Sequence, residues 1–177
     1  MANEVLIKTG TPVVFAASAE FGNVPYDDTV EFDIGGLANA GAWQSAKTDL
    51  GATRAANYAV RLGVEFDVDL AAIGSIEVYW SSSPSGTAAT GNTGGASGAN
   101  EAYTVSTTVA LEHLQPLGVM YLKSGLLDDT CYQAQIGIFT PAERYGSIVL
   151  VNKSGQALEA TADTMYIALI PIVDEVQ

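Results

Sequence analysis

A chain of 177 residues, 48% hydrophobic and 15% charged, is long enough to bury one domain spanning 1–177 and short for two, which excludes a wholly disordered protein. Its 20 acidic against 7 basic residues leave a net charge of −13, so its surface repels phosphate backbones, and neither nucleic acid nor an anionic membrane is expected as a partner. A single cysteine, Cys131, excludes an internal disulfide framework and any multi-thiolate metal site.

The first residues, Met1 to Lys8, carry no basic region followed by a long apolar one, so a chain made in a cytoplasm and not exported is expected. Val5 to Lys8 and Val13 to Ala17 read as short strands around a turn at Thr9-Gly-Thr-Pro, making 1–17 an N-terminal arm or an edge hairpin. Thr29 to Ile34 alternates, with Val30, Phe32 and Ile34 on one side, and Gly35-Gly36 ends it. The alanines between Leu37 and Asn57 have helical propensity, but each glycine there would cost a helix interior about 1 kcal/mol, so Ala42 to Leu50 is read as a strand.

The strongest periodicity lies between Tyr58 and Trp80. Tyr58, Val60, Leu62, Val64, Phe66 and Val68 alternate with polar or small residues, and Ile76, Val78 and Trp80 alternate with Glu77 and Tyr79. Two long strands meeting at a short turn, forming a central pair, are expected, with each buried apolar side chain contributing roughly 1.5 to 3 kcal/mol.

Residues 81–100 follow, a Gly/Ser/Thr-rich tract without a charge, an aromatic ring or a large aliphatic side chain. Such a segment is not expected to bury itself; it reads as a long loop that is functional, disordered or ordered by a neighbour. Beyond it, Val109 to Leu114 suggests one or two helical turns ending at Pro116, then Gly118 to Lys123 and Tyr132 to Phe139 read as strands. Ser147 to Asn152 and Met165 to Ile172 are apolar on both faces; the latter is too short for a bilayer and is broken by Pro171. About nine or ten short strands and at most one short helix make an all-β fold, and a jelly-roll-like antiparallel β-sandwich is expected.

Chemistry is sparse. His113, the only histidine, has no Gly-x-Ser-x-Gly nucleophile elbow to pair with and reads as a surface or capping residue. Glu65, Asp67 and Asp69 share one strand face by spacing and are the candidate calcium ligands, yet no EF-hand loop accompanies them, and a solvated face helped by Arg61 is the ordinary reading. Asp27-Asp28 and Asp128-Asp129 pair in loops, but no spacing favours a glycosidase couple. Gly91 to Gly98 lacks the Lys-Ser/Thr of a phosphate loop. Asn152-Lys-Ser154 fits the glycosylation triplet and reads as a turn. No catalytic residue, metal or cofactor is expected. Tyr79 and Tyr103 flank the polar tract as sugar rings would require, while alternation puts Trp80 in the core, and the candidate subunit or glycan contacts are Tyr79, Ser81, Pro84, Asn92, Asn100 and Tyr103.

Two stretches carry a resemblance: Ile76-Glu-Val-Tyr-Trp-Ser running through the tract to Asn100, and Gly137-Ile-Phe-Thr-Pro-Ala-Glu-Arg-Tyr-Gly continuing to Gly155, with the closing Ile170-Pro-Ile. They resemble virion proteins encoded among the structural genes of tailed bacteriophages. The resemblance implies a capsid decoration protein with a jelly-roll-like sandwich, assembled in the host cytoplasm into the virion, oligomeric and without enzymatic role. Its partners would be the major capsid protein or other virion subunits, and its own copies in a trimer, with the uncharged tract and the last strand packing on neighbours. The second reading is a carbohydrate-binding sandwich of a phage tail or fibre that recognises host surface glycans.

Overall fold

The computed structural model of the chain describes residues 5–17, 30–104, 107–161 and 165–176. In chain order its strands are Val5–Thr9 (β1), Val13–Ala16 (β2), Val30–Glu31 (β3), Ala42–Gln44 (β4), Thr48–Asp49 (β5), Asn57–Val64 (β6), Gly74–Ser83 (β7), Glu101–Ala102 (β8), Gln115–Leu122 (β9), Tyr132–Phe139 (β10), Tyr145–Lys153 (β11) and Tyr166–Val176 (β12). One short helix, Thr107–Glu112 (α1), stands between β8 and β9. The strands form two six-stranded sheets: β10-β6-β12-β2-β3 with β1 also on β12, and β8-β4-β11-β7-β9 with β5 also on β11. Every pairing is antiparallel except β2 with β3.

The core is where alternation puts it. Tyr58, Val60, Leu62 and Val64 from β6 pack against Ile76, Val78 and Trp80 from β7 and Ile148 and Leu150 from β11, all buried. The expected central pair is corrected, however: β6 and β7 lie in opposite sheets and meet through their side chains, and residues 65–73 carry the chain across the sandwich. Alternation fixes which face of a strand is buried, but it is silent on which strand lies beside it. The long first strand is also shorter than its pattern. After Val64 only Phe66 makes a single bridge, to Leu158, and Val68 is exposed.

The N-terminal strands are not a hairpin with one another. They lie end to end along β12, with Thr9 opposite Ile172 and Val13 opposite Leu169. The break between them falls opposite Pro171, which has no N–H to give a partner; Gly10 donates to the Pro171 carbonyl at 3.0 Å instead. A similar break divides β4 from β5 along β11. There Ser45 N–H donates to the Ile148 carbonyl at 2.9 Å while Ser45 Oγ accepts from Ile148 N–H at 2.9 Å, so a buried hydroxyl keeps the ladder satisfied through the irregularity. The segment expected to be one strand over 42–50 is thus two short ones.

One side of the sandwich is closed by backbone. Edge strands β9 and β10 belong to different sheets, and each shifts register by one residue, near Leu117 and Ile136. Beside those shifts the chains nearly touch: a Cβ on Gly118 would stand 2.2 Å from the Ile136 carbonyl oxygen, and one on Gly137 2.2 Å from that of Leu117. Only glycine permits that approach.

Strands apolar on both faces are explained within the chain. On the outer face of the β11 sheet, Val149 packs with Ala96 of the polar tract, Tyr103 just after β8, Ala110 of α1 and Leu114 just beyond it. On the outer face of the β12 sheet, Tyr166 and Ala168 pack with Val14 and Ala16, and the Tyr166 ring lies over Gly63, where a Cβ would come within 2.7 Å. Tyr166 and Ala168 are fully buried by their own chain.

Candidate functional site

The tract after Trp80 is the place to look, and the structure corrects its description as a loop unable to order itself. Ser81, Ser82 and Ser83 still belong to β7, paired with Ser147, Gly146 and Tyr145. Beyond Ser83 the chain wraps around one cation. Lys47, from the break between β4 and β5, points its ammonium into the tract and donates to Ser83 Oγ at 3.1 Å and to the carbonyls of Ser85, Thr87 and Thr90 at 3.0, 2.7 and 3.0 Å. An ammonium has three donors and no acceptor, so its three protons are shared among these four oxygens. Burial lowers the Lys47 pKa.

The candidate contact residues mostly serve this internal network. Ser81 Oγ is buried and donates to the Thr93 carbonyl at 2.7 Å. Asn92 Nδ2 donates to the carbonyls of Ala88 and Ala96 at 2.6 and 2.7 Å. Asn100 Oδ1 accepts from Asp33 N–H at 2.9 Å and from Trp43 Nε1 at 2.8 Å, tying the end of the tract to the strands below. Tyr103 is 3% exposed and its hydroxyl donates to the Gly94 carbonyl, so it presents no face for a sugar to stack on. Trp80 is fully buried and tilts against Phe139 with ring centroids 5.6 Å apart. Pro84 alone of the six lies exposed on the rim of the tract.

Tyr79 belongs to a second feature. Helix α1 stands over the outer face of the β11 sheet and leaves a groove on each side of its last turn. One, of about 370 Å³, is lined by Ala42, Tyr103, Leu111, Glu112, Val151 and Lys153. The other, of about 310 Å³, is lined by Tyr79, Leu111, Glu112, Leu114 and Pro116. Between them Lys153 Nζ pairs with Glu77 Oε2 at 2.8 Å, and the Tyr79 hydroxyl donates to the same oxygen at 2.8 Å. Burial pushes Glu77 upward, but the Lys153 and Tyr79 hydrogen bonds outweigh it and hold the carboxyl below its ordinary value. Burial and the Glu77 carboxylate together raise Tyr79 to about 12. Cation, anion and hydroxyl are therefore mutually satisfied, and the arrangement offers an apolar floor with a neutralised polar wall rather than a reactive group.

The carboxylates do not form the expected trio. Because β6 ends at Val64, Glu65 is buried while Asp67 and Asp69 project from the crossing segment, so they do not share a strand face. Asp69 Oδ1 instead accepts from Asp128 N–H at 2.9 Å, and Arg61 donates to Gln133 at 2.7 Å rather than serving the acids. Asp27 and Asp28 lie outside the described residues. Among the described residues, no three His, Cys, Asp or Glu gather as metal ligands. His113 is exposed, just past α1. Asn152 is buried, its amide donating to the carbonyls of Leu37 and Gln156 at 2.9 and 2.8 Å, so the triplet forms a turn that no glycan can reach.

The sequence reading missed Lys47. Its one mark in the sequence is isolation, as the one basic residue between Lys8 and Arg54, and its meeting with the tract is a product of the fold. Among the described residues, no helix is long and apolar enough to cross a membrane. No family model matches the chain, and no curated protein matches it significantly.

Proposed function

We propose that the chain is a non-enzymatic structural protein of a tailed-phage virion, a decoration protein that binds the head lattice through contacts with the major capsid protein or other virion subunits and assembles with its own copies, as a trimer. The observation that supports this reading best is how the polar tract is built. Its serines, asparagines and several of its carbonyls bond to Lys47, Trp43 and one another, making a cross-linked platform with no acidic side chain instead of a reactive or open binding site. A platform of fixed shape suits repeated contact with identical neighbours. The likeness of 76–100 and 137–155 to phage virion proteins points the same way, since those stretches hold most of β7 with the tract that follows it, and the end of β10 with β11.

Mass spectrometry of purified virions, together with the sedimentation mass of the isolated chain, tests the reading. Stoichiometric presence in virions and a trimeric mass are expected. A strictly monomeric protein absent from particles would overturn it, and a glycan-array signal lost in Tyr79→Ala would move the chain to the glycan-binding reading.

A further inference from the structure

Five large apolar side chains are exposed among the described residues, and four of them come to one end of the sandwich: Ile73 at 81%, Tyr121 at 83%, Leu127 at 58% and Val68 at 44%. Their placement follows from backbone pairing. Gly74 lies opposite Leu122 and Ser75 opposite Tyr121, which sets Ile73 and Tyr121 on neighbouring strand ends. The crossing segment 65–73 and the turn 123–131 are laced together, with Leu70 N–H donating to the Leu126 carbonyl at 2.8 Å and Gly125 N–H to the Leu70 carbonyl at 2.7 Å. Val68 and Leu127 ride on those two joined segments. Only Ile138, on β10, lies elsewhere.

Acids rim the same segments. Asp67, Asp69, Asp128 and Asp129 are all exposed there, against Lys123 on the same segments and Lys153, which lies across Ser75 from Tyr121 and is paired with Glu77. The Asp69 and Asp128 carboxylates are close enough that Asp69, first of several causes, raises the Asp128 pKa. Carboxylates crowded to this degree repel one another and gain from a cation brought close. An exposed apolar centre with a charged rim has the layout of a protein-binding surface, and the sign of the rim selects the partner.

Resting on the structural reading above, we infer that this end of the sandwich is its docking surface for a partner protein of opposite rim charge, one that presents lysines and arginines around an apolar recess taking Ile73 and Tyr121. A second copy of this chain docked end to end would set acid against acid, so self-assembly uses other surfaces.

Two measurements on the full chain test this, using wild type, an Ile73→Ser/Tyr121→Ser double variant and an Asp69→Asn/Asp128→Asn double variant. Side chains this exposed can be replaced without unfolding, which a thermal melt checks. In the first, amide NMR follows titration with a synthetic peptide alternating lysine and leucine, and with its glutamate counterpart. Shifts confined to residues 67–75 and 119–130 with the lysine peptide, at least about tenfold weaker in both variants and at high salt, are expected. Shifts spread over other surfaces, or an equal response to the glutamate peptide, would overturn the inference. The second is cosedimentation with empty phage heads. If heads bind wild type and both variants alike, the inference fails and the structural reading stands. If heads bind none of them, the structural reading fails and the peptide titration alone decides the inference. Loss of self-association in the Ile73/Tyr121 variant would assign the patch to a second copy and overturn the inference too.

Discussion

The ammonium of Lys47 sits 3.1 Å from Ser83 Oγ, joining the irregularity between β4 and β5 to the last residue of β7 and holding the following tract by three of its carbonyls. Remove the charge and the Ser85 and Thr90 carbonyls are left to share the single proton of the Ser83 hydroxyl, while the Thr87 carbonyl keeps only the Thr90 N–H. Lys47→Met is expected to lower stability by about 1 to 3 kcal/mol and, more tellingly, to speed amide exchange across Ser85 to Ala96 while the core strands keep their protection. Hydrogen exchange with mass spectrometry reads this directly; unchanged protection in the tract would show that the lysine is a bystander.

Gly137→Ala tests the closed side of the sandwich. The new methyl would meet the Leu117 carbonyl oxygen, which is backbone and has no rotamer to yield, so β9 and β10 must part. A loss of about 3 kcal/mol in urea unfolding is expected. Gly125→Ala is the control, since its φ of +77° is strained for alanine but no atom lies in the way, and a loss of about 1 kcal/mol is expected. Equal effects would mean that backbone conformation, not contact, accounts for both.

The Glu77, Tyr79 and Lys153 group gives stability a dependence on pH at both ends. Glu77 is held below its ordinary 4.5, so the folded state favours the carboxylate; that contribution is present above pH 4.5 and is lost as pH falls through the folded value. Tyr79 is raised from 10.0 to about 12, so the folded state holds the phenolic proton more tightly; that contribution is present below pH 10.0 and is lost as pH rises toward 12. Thermal melts from pH 9 upward should fall more steeply for wild type than for Tyr79→Phe. Parallel curves would contradict the assignment.

Tyr103 separates a structural from a ligand-stacking role. Tyr103→Phe leaves the Gly94 carbonyl without its donor and should cost about 1 kcal/mol, while Tyr103→Ala opens a cavity against Val149 and Leu114 and should cost about 3 kcal/mol or more. Urea denaturation of the two variants measures this. An alanine variant as stable as wild type would restore Tyr103 as a surface residue.

Much of this fold is legible in the residues themselves. Alternation from Tyr58 to Phe66 and from Ile76 to Trp80 identifies core side chains that are buried in the structure, and Tyr132–Phe139 matches its expected bounds. What alternation cannot carry is pairing, because a period of two says inside or outside and nothing about the neighbour; hence β6 and β7 read as partners when they face each other across the core. Val68 continues the pattern after the strand has ended, since periodicity does not register where the backbone stops pairing. The order of the tract is hidden for a different reason. Its own side chains are small, so its order comes from a lysine some forty positions upstream, and only the fold brings the two together.

Binding to a virion surface is the role proposed for this chain. Cosedimentation of the purified protein with empty heads prepared without it measures that most directly. Saturable binding to a fixed number of sites per head, weakened by salt as an acidic surface requires, is the expected result. Heads that pellet with no bound protein, while the chain remains monomeric in the supernatant, would contradict it.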